Sequence, residues 1–324
     1  MIGRSCLIVL ELALAVLVAS AWAQQPAKIP VVGVLITHAP LTDPVVESIR
    51  SGFRPLGYED GRNIRLEFVT AQGQRDRLQE LAQQLVARNV DAIISPNELS
   101  ARAAQKATTV IPIVMFAWIG DPVALGLIAS YARPGGNITG IYSLAADLEA
   151  KRVEIIKEAL PDLSHLAVFW DPSLGTDLGN VQRAAQSLGL RVSAIEVRRE
   201  EDLEPAFKAA KQKKVGAVLL MQSPIFYVNR DRIAALALNA RVAAVAVFGE
   251  QVRAGFFLSY GVDVDDIYKR AAYYVDRLLK GAKPGDLAVE QVSKFKLTVN
   301  QETARALNVK IPESILLRAD EVVR

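Results

Sequence analysis

Apolar residues fall in short blocks separated by longer, periodically patterned stretches. Val31-Val32-Gly33-Val34-Leu35-Ile36 reads as a buried strand. Residues 43–56 carry a helical pattern, 64–69 alternate as a strand, and 75–88 place Leu78, Leu81 and Leu85 at helical spacing. Further strands are predicted at 92–94 and 111–116, with helices at 100–108 and 121–131. The rhythm then restarts. Strands at 166–169, 192–195, 217–221 and 243–248 alternate with helices at 177–188, 201–212 and 229–239. Such alternation predicts parallel βαβ units, and the duplicated set predicts an α/β protein of two similar parallel-sheet lobes.

Between the two sets, Arg133-Pro134-Gly135-Gly136-Asn137-Ile138-Thr139-Gly140 is a turn signal feeding a short strand, Ile141-Tyr142. After the second set, Phe256-Phe257-Leu258-Ser259-Tyr260-Gly261 reads as another crossing strand. A long helix follows over 263–279, then a last strand over 294–299, and Asn300 caps a short helix. Asp43-Pro44, Asp121-Pro122 and Asp171-Pro172 stand where strands give way to helices, the arrangement of an N-cap followed by proline at the first helical position. His165 opens a strand and is expected at the surface.

The first 23 residues differ from the rest. Arg4, an apolar stretch from Leu7 to Val18 and Ala21-Trp22-Ala23 describe a secretory signal peptide cut after Ala23, which implies a periplasmic protein. The apolar stretch is shorter than the roughly 20 residues that span a bilayer. Cys6 is the single cysteine and lies inside this segment, so the exported chain has no thiol for a disulfide, a nucleophile or a zinc site. The 324 residues suit two domains. Their 38 basic and 35 acidic side chains give a net charge of +3, scattered without aromatic interleaving, which argues against a nucleic-acid partner.

Several chemistries lack their residues. The first strand-helix turn, Thr37-His38-Ala39-Pro40-Leu41-Thr42, has no glycine for a dinucleotide pyrophosphate. No Walker lysine loop and no Gly-x-Ser-x-Gly elbow occur. His38 and His165 are far apart and neither has a helical partner for a metal. No cofactor, metal or catalytic residue is implied.

Ligands of open parallel sheets sit beyond the strands' carboxyl ends. Those ends offer Thr37, His38, Asn97 and Trp118 in the first set, and Trp170, Asp171, Gln222, Ser223 and Glu250 in the second. The crossings add Tyr142 and Tyr260. Hydroxyls, amides, two acids and aromatics together suit a small polar or zwitterionic solute with a flat or apolar part. Each residue also has a structural alternative. Trp118 and Trp170 fit either the cleft walls or the lobe cores. Tyr142 and Tyr260 fit the cleft or the packing of the crossover. Gln222 and Ser223 fit the pocket or a turn, and Glu250 a ligand site or a helix cap.

At several of these motifs the chain resembles the ABC-transporter substrate-binding proteins of the tryptophan/tyrosine-transport type. The resemblance lies in residues 133–140, Gly120-Asp121-Pro122-Val123 with Gly126-Leu127, Leu258-Ser259-Tyr260-Gly261, Gly57-Tyr58-Glu59-Asp60-Gly61-Arg62-Asn63, and the ending Ile311-Pro312 with Leu317-Arg318-Ala319-Asp320-Glu321-Val322. It implies a type I periplasmic-binding fold with two lobes joined by a three-segment hinge. The lobes are expected at 24–142 plus 261–288 and at 143–260 plus 289–324. It also implies a monomeric, non-catalytic receptor that takes an amino-acid-like or aromatic solute in the interlobe cleft and presents it to a membrane permease driven by an ATPase. Two departures from the family pattern fall in the expected pocket. Pro96-Asn97-Glu98 replaces small residues after the third strand, and Asp171-Pro172 replaces Asn-Pro after the fifth. An acid at Asp171 favours a cationic group, and the Asn97 amide suits a carboxylate. The competing class is an exported α/β enzyme using the same cleft. A sugar-responsive transcription regulator of this architecture is disfavoured by the leader and by the lack of a helix-turn-helix before the first strand.

Overall fold

The computed structural model describes residues 28–118, 121–143, 145–174 and 178–324, with only the backbone described at 117–118 and 145–147. The expected leader, Cys6 included, lies outside these residues. The first half runs β1 (Val31–Ile36), α1 (Pro44–Phe53), β2 (Arg65–Thr70), α2 (Leu78–Ala87), β3 (Ala92–Asn97), α3 (Glu98–Ala107), β4 (Ile113–Trp118) and β5 (Ile138–Tyr142). The second runs α4 (Ala145–Ala159), β6 (His165–Trp170), α5 (Gly179–Ser187), β7 (Arg191–Glu196), α6 (Leu203–Gln212), β8 (Ala217–Leu220), α7 (Pro224–Val228), α8 (Arg230–Ala240), β9 (Ala243–Ala246), α9 (Gly249–Arg253) and β10 (Leu258–Val262). The chain closes with α10 (Val264–Leu279), β11 (Glu290–Gln291), β12 (Phe295–Asn300), α11 (Gln301–Ala306), α12 (Glu313–Arg318) and β13 (Glu321–Val323).

Two sheets result. One has the order β2-β1-β3-β4-β5-β11 and is parallel throughout. The other has the order β7-β6-β8-β9-β10-β12-β13 and departs from parallel only where β10 meets β12. The first five strands of each lobe therefore repeat one order, which reverses direction between β1 and β3 and again between β6 and β8. Each sheet is covered on both faces, as parallel strands require. Helices α1 and α10 bury their apolar stripes on one face of the first sheet, and α2 and α3 on the other. In the second lobe α4 and α5 oppose α6 and α8. Each lobe's fifth strand carries a glycine pressed on the neighbouring backbone. A Cβ at Gly140 would meet the Met115 carbonyl oxygen at 2.0 Å, and one at Gly261 the Val247 carbonyl oxygen at 2.0 Å. Only glycine permits that approach.

The chain crosses between lobes three times, after Tyr142, after Val262 and after Gln291. Val292 donates its N–H to the Tyr142 carbonyl at 2.8 Å, and Asp263 donates to the Lys294 carbonyl at 2.9 Å, so the crossings are tied together. The last crossing comes later than the expected break at 288, because Glu290 and Gln291 pair with Ile141 and Tyr142. Likewise β10 stays in the second sheet through Val262, past the expected break at 260.

Two local expectations are corrected. Residues 121–131 form turns, not a helix, because Gly126 adopts a left-handed φ of 69° and both Leu127 and Ile128 turn back to the Pro122 carbonyl. His165 is buried, since β6 lies between β7 and β8. Its ring nitrogens meet the Lys213 carbonyl and the Ser193 hydroxyl.

Candidate binding site

Both direction reversals open onto one cavity of about 590 Å³ between the lobes. From the first lobe, Ile36, Thr37 and His38 follow β1, and Pro96 and Asn97 end β3. From the second, Ser173 and Leu174 follow β6, and Met221, Gln222 and Ser223 follow β8. This is the place where diverging crossovers leave the carboxyl ends of open sheets uncovered.

Of the sequence-predicted residues, Thr37, His38, Asn97, Gln222, Ser223 and Glu250 line the cavity. Most of the neutral ones have structural work of their own. The Thr37 hydroxyl donates to Asn97 Oδ1 at 3.0 Å and accepts from Asn97 Nδ2 at 2.8 Å, tying the ends of β1 and β3. Asn97 also caps α3 by accepting from the Ser100 N–H, so its carbonyl is committed and one amide hydrogen remains. Ser223 caps α7, accepting from the Ile225 N–H at 3.3 Å.

Four predicted residues lie elsewhere, and each has a physical reason. Tyr142 is buried at the crossing and stacks on Tyr131, with centroids 4.9 Å apart. Tyr260 packs between the cores of both lobes, and its carbonyl accepts from the buried Arg152 Nε at 2.6 Å. Trp170 packs against the second lobe's core, its Nε1 buried without a hydrogen-bond partner among the described residues. Asp171, 4% exposed, accepts from the N–H and hydroxyl of Ser173 at 2.9 and 2.6 Å. It holds the loop that brings Ser173 and Leu174 into the cavity, and does not face the cavity itself. The Trp118 side chain lies outside the described residues.

Sequence reading missed the aromatic lining. Phe116 and Tyr268 meet edge to face at 5.6 Å on the first lobe's side, and Tyr227 and Phe248 do so at 5.5 Å on the second's. Each lobe thus lines the cavity with an aromatic pair, neither of which includes Trp170. Phe116 was legible as the β4 residue two before Trp118. Tyr268 sits on α10, far along the chain, and Tyr227 on a helix too short to carry a periodicity signal.

Charge is unevenly placed. Glu250 has no ion-pair partner among the described residues, and burial raises its pKa above the ordinary carboxyl value, against smaller opposing pulls from its own backbone N–H and then from Arg253. Glu149, missed by the sequence, is 4% exposed and sits 2.8 Å from the Arg152 guanidinium, while its Oε2 is buried with no hydrogen-bond partner among the described residues. A buried acceptor left without a donor costs about 1–3 kcal/mol. On the opposite lobe, Arg75 reaches across to the Ser173 hydroxyl at 3.5 Å and has no carboxylate partner among the described residues. His38 is held neutral at physiological pH, its pKa lowered to about 4 by burial and then by Arg75. A second bridge across the cleft joins Arg230, stacked over Tyr227, to Asp43, the N-cap of α1, at 3.9 Å.

The sequence model of a family described as ABC transporter substrate binding protein matches residues 28–323. A tyrosine-binding protein of Clostridioides difficile is 26% identical over 285 residues, covering 85% of this chain and 79% of the relative. A conserved domain protein of Vibrio cholerae superposes with a TM-score of 0.81 at 27% identity, covering 91% of this chain and all of the other. An ABC domain of Streptococcus pneumoniae in complex with L-Trp superposes at 0.80 with 24% identity over 91% of this chain and all of the other. The architecture is that of the type I periplasmic-binding fold.

Proposed function

We propose that this chain, which belongs to the ABC transporter substrate-binding protein family, captures an amino-acid-like solute with an aromatic or apolar body and hands it to a membrane permease without altering it. The observation that carries this reading is the division of charge across the cavity. Among the described residues Glu250 on the second lobe has no cationic partner and Arg75 on the first has no anionic one, and two aromatic pairs line the same cavity. A zwitterion satisfies both. Its ammonium meets Glu250, its carboxylate meets Arg75, and its body rests on Phe116, Tyr268, Tyr227 and Phe248. Because the two charges sit on different lobes, such a solute contacts both and favours their closed arrangement. The relatives' tyrosine and L-Trp are of this chemical type. Export through the leader would place the receptor in the periplasm, beside its permease.

The test is calorimetric titration with L-tyrosine and L-tryptophan against their analogues lacking the amine. The amino acids should bind, the deaminated analogues should be weaker by tens-fold or more, and the solute should be recovered unchanged. Equal affinity with and without the amine would overturn the zwitterion reading, and turnover would overturn the receptor reading.

A further inference from the structure

Glu149 is a carboxylate at the cavity that the two charged ends of a zwitterion do not use. It stands on α4, and its side chain is 5% exposed. One oxygen lies 2.8 Å from Arg152 Nη1, and the other, Oε2, is buried without a hydrogen-bond partner among the described residues. Arg152 does not line the cavity, and its Nε is spent on the Tyr260 carbonyl. Arg152 Nη1 also lacks a hydrogen bond of its own among the described residues, but Arg152 stands behind the lining, so the unmatched group that the pair brings to a cavity-lining residue is the acceptor Oε2. Its charge is already balanced by Arg152, unlike that of Glu250. What Oε2 lacks is a donor hydrogen, not a counter-ion.

We infer that Glu149 Oε2 receives a hydroxyl or N–H carried on the aromatic body of the solute, and that it sets the preference for solutes bearing such a donor. The inference rests on the amino-acid reading above and assigns the solute's second polar contact. A buried carboxylate oxygen already stripped of water loses nothing further on binding a donor, whereas a solute of the same shape without one leaves it stranded. Discrimination of this kind is strong because the penalty falls on the wrong ligand.

The experiment uses two solute pairs that differ by one donor group: L-tyrosine with L-phenylalanine, and L-tryptophan with its benzothiophene isostere. Titration of the wild-type protein should show, in at least one pair, a preference of about ten- to a hundred-fold for the donor-bearing member. In Glu149→Gln, where the amide carbonyl turns to Arg152 and its N–H₂ faces the cavity, that preference should collapse to within about threefold. Glu149→Leu combined with Arg152→Leu removes both charges together. It should show the same collapse if the single variant leaves Arg152 stranded and fails to fold. Equal affinities within both pairs for the wild type, or a preference that survives in a folded variant, would overturn the assignment while leaving the receptor reading intact. Binding of none of the four solutes would instead bring down the amino-acid reading, and this inference with it.

Discussion

The two lobes repeat one strand order, and each carries a fifth-strand glycine pressed on a neighbouring carbonyl, yet they bring different chemistry to the shared cavity. The first lobe's β1 and β3 ends are closed off by the Thr37–Asn97 pair and flanked by a neutral His38, with Arg75 as a charge that meets Ser173 and no carboxylate among the described residues. In the second lobe, Asp171, the acid nearest a strand end, is spent on its own loop, while Glu149 and Glu250 come from helices. The sheet order decides where a crevice opens, because it fixes where successive crossovers diverge. Helix-borne side chains decide what the crevice prefers, since the turns at the strand ends consume their own polar groups as caps. A duplicated scaffold can therefore hold an asymmetric site.

The largest expected effect breaks this asymmetry at its charged end. Glu250→Ala should weaken an amine-bearing solute by about 2–5 kcal/mol, the cost of leaving an ammonium unpaired in a closed cleft, with little loss of stability. Acidification should act in the same direction. Burial raises the Glu250 pKa, so the wild type should lose affinity as pH falls through that raised value, because a protonated acid cannot pair with an ammonium. Stability of the unliganded protein carries the opposite sign. The folded state holds this proton more tightly than the unfolded state, so stability should fall as pH rises from the ordinary carboxyl range through the raised pKa. Titrations of wild type and Glu250→Gln across pH 4–8 check both signs. A pH-independent affinity in the wild type would mean that Glu250 is not the ammonium partner.

Strand blocks, their duplication and the crevice at their carboxyl ends were legible because apolar runs and periodicity report burial directly. The alternatives at Ser223 and Glu250 could not be separated from sequence, and the tie between Thr37 and Asn97 went unseen, since a turn, a cap and a binding group use the same residue types. Tyr268 and Glu149 went unseen because helix packing, a long-range property, turns them to the cavity. Gly126 sat inside a helical pattern over 121–131, and its left-handed conformation overrode that pattern.

A second prediction tests the part the lobes share. Gly140→Ala and Gly261→Ala should each destabilise the protein by about 3 kcal/mol, near the top of the range for overpacking, because the new Cβ meets a backbone carbonyl that a side-chain rotation cannot clear. Gly140→Ala also carries backbone strain, from a φ of 129°, and should be the worse of the two. Urea unfolding measures both. Wild-type stability in either variant would show that the fifth strand moves off its neighbour at small cost.

The smallest expected effect separates a loop-holding acid from a solute-holding one. Asp171 and Glu250 were equivalent candidates in the sequence, each an acid just beyond a strand of the second set. The structure sets them apart. Among the described residues the Asp171 carboxylate bonds to Ser173 twice, and Asp171 is 4% exposed, whereas Glu250 lines the cavity without an ion-pair partner. Asp171→Ala should therefore cost stability, by about 0.5–2 kcal/mol as a lost cap does, and leave solute affinity within about threefold. Asp171→Asn keeps an acceptor for the Ser173 N–H and should recover most of that stability. Thermal unfolding and calorimetry on the two variants, set beside Glu250→Ala, give opposite patterns: affinity is lost while stability is kept at Glu250, and stability is lost while affinity is kept at Asp171. Should Asp171→Ala lose affinity while keeping its melting temperature, its carboxylate reaches the solute after all, and the loop around Ser173 closes the cleft in a different conformation.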